Sequence, residues 1–156
     1  MKMNKIIIFF SSVAYLGYIK RAPGTWGSLA GVLLWIFFVP DSALVQLLAL
    51  AAIFFISIFF SSLAENIYKT EDDRRIVIDE VAGIWFSLAL LPKQFLFFLL
   101  GFLLFRLFDV KKPWIIKSVQ KLKSGFGVTI DDVISGIFTN FLLQIINFII
   151  LITKIG

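Results

Sequence analysis

Five carboxylates, Asp79, Glu80, Asp109, Asp131 and Asp132, stand inside or against apolar runs of a 156-residue chain. A charge near a bilayer core is costly and usually marks a functional site there. Arg106 lies three residues before Asp109, so the two share a helix face. Lys111, Lys112 and Pro113-Trp114 follow directly. Upstream, PGTWGS at 23–28 sets small residues, a turn and two hydroxyls, Thr25 and Ser28, at a helix start. Such a start can hold phosphate on backbone N–H groups. Carboxylates can hold a divalent cation, while cations and N–H groups hold an anion. The combination points to a site for a metal ion and a phosphate group.

Each piece has a plainer reading. Asp79-Glu80 could favour a helix dipole, and Arg106 with Asp109 could be a structural salt bridge. Asp131-Asp132 could be an ordinary N-cap, and Lys111-Lys112 a snorkelling anchor beside Trp114. PGTWGS could be a plain turn with a capped helix. Asp72 and Asp73 read as solvated loop residues. The joint pattern outweighs the parts, because all of them fall on one side of one apolar chain.

The composition narrows the chemistry. The chain is 60% hydrophobic, which points to a membrane protein of one domain, residues 1–156. It has neither cysteine nor histidine, which excludes disulfides, thiolate and imidazole metal sites, cysteine nucleophiles and Ser-His triads. Any metal must be held by oxygen, which favours Mg²⁺, Mn²⁺ or Ca²⁺. The net charge of +5 does not require nucleic acid, since lysines among apolar runs serve equally for membrane orientation and anionic lipid.

The elements that would position these residues are helices. The expected fold is all-α, a polytopic membrane bundle of four to five hydrophobic spans with a cytoplasm-facing polar site. Residues 6–19 read as an interfacial or re-entrant helix. The spans read as 29–39, 43–64, 76–91, 95–108 and 133–152. Thr25 or Ser28 would cap the first of them. A basic amphipathic helix over 115–123 would lie on the membrane surface, and 124–127 would be a turn after which Asp131-Asp132 open the last span. With that end placed inside, all 15 Lys and Arg except Lys93 and Lys154 are cytoplasmic, as are all 10 acids except Asp41. The positive-inside rule explains the first distribution and says little about acids, so the second marks a site at the inner face. The outer halves of the spans carry almost no polar groups, which argues against an ion path.

Four segments in this order resemble the phosphatidylglycerophosphatase A family: PGTWGSL at 23–29, IVIDEVAG at 76–83, FRLFDVKKPW at 105–114 and GFGVTIDDVISG at 125–136. The resemblance runs from about residue 14 to residue 140. It implies a Mg²⁺-dependent hydrolase of the bacterial inner membrane, multi-pass, with its site facing the cytoplasm. Such an enzyme takes the terminal phosphate from phosphatidylglycerophosphate, leaving phosphatidylglycerol and inorganic phosphate. The chain departs from the family pattern at Ile115, Ser124 and Thr129, and at Asp72-Asp73-Arg74-Arg75, where the family commonly has Asp-Pro with a small residue.

Read this way, Asp79, Glu80, Asp109, Asp131 and Asp132 are the metal ligand candidates, and Asp79, Glu80, Asp109 and Asp132 the catalytic ones. Mg²⁺ usually takes one or two carboxylates and keeps several waters. Five acids therefore imply either two metals or one acid, Glu80 or Asp132, acting as general base toward a metal-oriented water. Thr25, Ser28, Arg106 and Lys112 would hold the substrate phosphate. The partners expected are the phospholipid and the membrane. Two alternatives are a phosphatase for another lipid phosphate such as phosphatidate, and a non-enzymatic divalent-cation-binding membrane protein. A CDP-alcohol phosphotransferase is disfavoured by the absence of its D-G-x-x-A-R segment.

Overall fold

The computed structural model describes residues 2–111 and 125–155. Among them every regular element is helical: α1 (Lys2–Ser11), a 3₁₀ turn at Leu16–Tyr18, α2 (Pro23–Phe38), α3 (Ala43–Tyr68), α4 (Ile78–Leu88), α5 (Phe95–Lys111) and α6 (Gly125–Ile155). The amphipathic helix expected over 115–123 lies outside the described residues, as does Lys112.

α4 is the hub, packed on α2, α3, α5 and α6. Its environment explains its sequence. Ile78, Val81, Ala82, Ile84 and Leu88 are all buried, and Ile84 and Leu88 join Trp35 and Phe105 in the largest core cluster. The Trp85 indole N–H donates to the Gly31 carbonyl at 3.0 Å, fastening α4 to α2. Small residues let α6 close in from the other side. A Cβ on Gly136 would stand 2.2 Å from the Gly83 carbonyl oxygen, and one on Gly83 would stand 2.8 Å from the Asp132 carbonyl oxygen. Close approach through small residues is how apolar helices gain packing energy without a hydrophobic drive between them.

Among the described residues two helices are long and apolar enough to cross a membrane, α3 with 26 residues and α6 over Gly125–Lys154. α2 is apolar but has 16 residues, and α1 has 10. α4 has 11 residues, a length of about 17 Å at 1.5 Å per residue, roughly half a hydrocarbon core. The third expected span is therefore a half-length helix. The outward faces carry large apolar side chains, among them Phe37, Phe38, Phe55, Phe95, Phe141 and Phe148, each more than 60% exposed. Faces of this kind mark contact with a membrane or another protein.

The half-length helix leaves carbonyls that water would normally satisfy. Side chains do so instead. Asn140 Nδ2 donates to the Ser87 and Ala89 carbonyls at 3.1 and 2.8 Å, and Gln144 Nε2 lies 3.4 Å from both the Ala89 and Leu90 carbonyls. Gln46 of α3 accepts the Leu90 N–H at 2.8 Å. These few polar residues in the apolar halves of α3 and α6 are thus bonded to backbone.

Two helix starts differ from expectation. α2 begins at Pro23, which has no N–H to satisfy and a φ already suited to the first turn. Thr25 and Ser28 lie inside it, and neither caps it. α6 begins at Gly125, so 125–127 is helix rather than turn, and Asp131-Asp132 sit in its second turn rather than opening it. Close packing is the reason: a Cβ at Gly125 would fall 2.3 Å from the Ser62 backbone nitrogen. The glycine serves the α3–α6 contact, which a buried Ser57–Thr129 hydroxyl pair at 2.8 Å continues.

Candidate active site

The acids of α4 come first. Val77, the residue before α4, is tied by its N–H to the Ser11 carbonyl at 2.9 Å, and α4 starts at Ile78 with Asp79 and Glu80 in its first turn. Asp79 Oδ1 accepts the Glu80 N–H at 2.9 Å. Negative charge at a helix N-terminus is favourable, which offsets part of the cost of burying the pair.

α5 runs the other way and delivers Arg106 and Asp109 near its C-terminal end. Arg106 Nη1 lies 2.6 Å from Glu80 Oε2 and 2.9 Å from Asp109 Oδ2. Burying a guanidinium demands such partners, and here one nitrogen joins two helices. α6 adds Asp132. Oxygens of Glu80, Asp109 and Asp132 all lie within 4.8 Å of one another, a spacing that one metal ion could bridge. The donors are all carboxylate oxygen, which suits a hard divalent cation.

α2 closes the site with its start. Ala22, Pro23 and Gly24 line a cavity of about 320 Å³ together with Asp72, Arg74, Asp79, Glu80, Arg106, Asp109 and Asp132. A Cβ on Gly24 would stand 2.0 Å from Glu80 Oε1, so any other residue there would displace the Glu80 carboxylate. The Ser28 hydroxyl, fully buried, is 2.9 Å from Glu80 Oε2 and 2.8 Å from the Gly24 carbonyl. It carries one proton and can donate to one of them at a time.

Most of the expected site residues therefore meet. Asp79, Glu80, Arg106, Asp109 and Asp132 share the cavity, and Ser28 touches it through Glu80. Asp131 is buried, with 2% exposure, and is not part of the cavity lining. Thr25 is in the first turn of α2 and does not line the cavity either. Lys112 is among the residues not described.

The loop between α3 and α4 holds what sequence reasoning passed over. Asp72 and Arg74 line the cavity rather than facing bulk water alone. Asp73 is committed to Arg75, whose Nε and Nη2 donate to its two oxygens at 2.7 Å each. These hydrogen bonds hold the Asp73 carboxyl below the usual carboxylate range. Arg75 also lies over the Tyr68 ring, 3.8 Å from its centroid. The available signal was position: the charged run stands immediately before the buried Asp79.

The charge of the cavity constrains its ligand. Its described lining has five carboxylates, Asp72, Asp79, Glu80, Asp109 and Asp132, against two guanidiniums, Arg74 and Arg106. An anion entering alone meets net repulsion, and an anion entering with a divalent cation does not.

The family model for phosphatidylglycerophosphatase A matches residues 9–147. The chain belongs to that family. A phosphatidylglycerophosphatase A of Haemophilus influenzae is 36% identical over 125 residues, covering 78% of this chain and 77% of the relative. A phosphatidylglycerophosphatase A of Escherichia coli is 32% identical over 131 residues, covering 80% and 74%. A Bacteroides thetaiotaomicron protein, provisionally named a phosphatidylinositol-3-phosphatase, is 33% identical over 142 residues, covering 86% and 89%. No solved structure matches the chain. The four segments that resemble the family all fall within the matched residues, and membership makes the chain a lipid phosphatase.

Proposed function

We propose that this protein hydrolyses the terminal phosphate of phosphatidylglycerophosphate, giving phosphatidylglycerol and inorganic phosphate, in a Mg²⁺-dependent reaction at the cytoplasmic face of the bacterial inner membrane. The observation that carries this is the convergence of Glu80, Asp109 and Asp132, from three different helices, beside Arg106 and the start of α2. The names of two relatives supply the headgroup.

Glu80, Asp109 and Asp132 would hold the Mg²⁺. When bound, the ion supplies charge neutralisation for phosphoryl oxygens and a more acidic water. The protein's own groups do the rest. Arg106 holds Glu80 and Asp109 in place, as a guanidinium does for carboxylates it bonds. The start of α2 places the positive end of a helix dipole at the cavity, which favours a phosphate there. Ser28 orients Glu80 from behind. Asp79 lines the same cavity outside the ligand trio and, in place of Glu80 or Asp132, is our choice for the group that accepts the proton of the attacking water. Thr25 and Lys112 remain phosphate-binding candidates on the sequence reading alone.

Multi-pass insertion has the support of α3 and α6, and the orientation that of the lysine and arginine distribution. Against a cation-conducting protein stand Gln46, Asn140 and Gln144, which bond to backbone groups at the far end of α4 instead of lining a path. A second reading, action on another phosphorylated headgroup, is favoured by the Bacteroides relative's name.

The test is phosphate release from phosphatidylglycerophosphate in detergent micelles, with Mg²⁺ and then with chelator. Release that needs Mg²⁺ is the expected result. Undiminished release under chelator would remove the metal from this reading, and no release in either condition, from folded protein, would remove the substrate.

A further inference from the structure

Arg74 and Arg75 are adjacent in the chain and differ in what they touch. Arg75 is bonded to both oxygens of Asp73 and stacked on Tyr68, whose hydroxyl meets that of Tyr18 at 3.0 Å. The loop carrying them is fixed at several points. The Asp72 N–H donates to Glu65 Oε1 at 3.0 Å, and the Ile76 N–H to the Asp73 carbonyl at 2.8 Å. Gly17 lies so close beneath Arg75 that a Cβ there would stand 2.0 Å from its carbonyl oxygen. Arg74 sits on this anchored loop, exposed, lining the acid cavity, and makes no hydrogen bond or ion pair among the described residues.

Arg106, the other guanidinium of that lining, already bonds Glu80 and Asp109. Arg74 is thus the cation in the described lining that can turn to an incoming anion. The cavity, about 320 Å³, lies at the lower end of the roughly 300–1,000 Å³ typical of ligand pockets, which is more room than one phosphate fills. With a phosphomonoester seated at the acids, a second anionic group a few bonds away along the same headgroup lies toward the rim. A guanidinium is well suited to it, since its fork binds two phosphate oxygens at once.

We propose that Arg74 recognises a second, bridging phosphate of the lipid, so that the site prefers phosphomonoesters carried on a phosphodiester headgroup over those attached directly to diacylglycerol. The inference rests on the phosphatase reading above and adds the residue that sets its preference among lipid phosphates. Phosphatidylglycerophosphate has the bridging phosphodiester, and phosphatidate lacks it.

The experiment measures kcat and KM in Mg²⁺-containing mixed micelles for both lipids, with the unmodified protein, Arg74→Ala and Arg74→Lys. Where phosphatidate is not cleaved, its inhibition constant as a competitor takes the place of KM. Arg74→Ala should raise KM for phosphatidylglycerophosphate about tenfold with kcat within about threefold, the pattern of lost ground-state binding. Its preference over phosphatidate should shrink by a similar factor, and Arg74→Lys should recover part of the loss. An unchanged KM, an equal fall for both lipids, or a lysine variant as poor as alanine overturns the role of Arg74. An unmodified protein that cleaves neither lipid overturns the phosphatase reading itself. Elution as a single folded species checks each variant, and the exposure of Arg74 makes its removal tolerable to the fold.

Discussion

The two ends of α4 handle polarity in opposite ways. At its C-terminal end, carbonyls and one N–H stranded in apolar surroundings are matched by Asn140, Gln144 and Gln46. Those side chains serve the backbone. At its N-terminal end, five carboxylates line one cavity with two guanidiniums, more negative charge than the described cations balance. Burying charge without compensation is among the costliest things a fold can do, and the cost is far higher beside lipid. On our reading, an apolar chain that keeps such an excess at one place keeps it to bind a cation. The polar groups at the far end complete the fold, and those at the near end serve the reaction we propose.

That contrast breaks first at Asp109. Asp109→Asn keeps the shape and removes one charge of the trio with Glu80 and Asp132. Turnover should fall on the order of a thousandfold, since metal neutralisation of phosphoryl charge is worth several kcal/mol. The folded protein should still elute as one species, because Arg106 keeps its 2.6 Å bond to Glu80. Turnover within tenfold of normal would mean that the acidic excess is not the reaction centre.

The far end should fail differently. Asn140→Leu leaves the Ser87 and Ala89 carbonyls without the amide that bonds them at 3.1 and 2.8 Å. The loss should be about 1–3 kcal/mol of stability, read as a lower melting temperature in detergent. Activity per folded molecule should stay close to normal. A variant that melts normally but loses turnover would show that this end takes part in function and would erase the contrast.

How much of this was legible depended on whether a residue's fate is decided locally. Asp79, Glu80, Arg106, Asp109 and Asp132 stood out because a charge inside an apolar helix needs a partner wherever the helix goes. Their meeting needed no knowledge of the packing. The start of α6 could not be found the same way. Gly125-Phe126-Gly127 has the composition of a turn, and it is helical because Gly125 presses on the backbone of Ser61 and Ser62, more than sixty positions away. The half-length of α4 was hidden for a like reason, since its caps come from Asn140 and Gln144, on a helix late in the chain. Arg74 and Arg75 show the limit most plainly. They are the same residue type at neighbouring positions, and Tyr68 with Asp73 takes one while the cavity takes the other.

Asp73 offers the smallest effect and the finest division, because it is an acid at the near end that belongs with the structural group. Its carboxylate is bonded twice by Arg75 and lies outside the cavity lining. Those bonds lower its folded pKa below the ordinary 3.8. A lowered folded pKa means that the pair stabilises the fold fully at pH values above the unfolded value. The contribution is lost as pH falls through 3.8 toward the lower folded value, where the native carboxylate also takes a proton. Asp73→Asn should therefore lower the melting temperature by a few degrees at neutral pH, and the gap should narrow in melts taken below about pH 4. Arg75 is partly exposed, so salt should narrow it as well. Turnover should change little. A gap that persists unchanged at low pH would mean that the lost term is packing of the loop rather than charge. A large loss of turnover at unchanged stability would instead move Asp73 across the division, from the groups that complete the fold to those that serve the ligand.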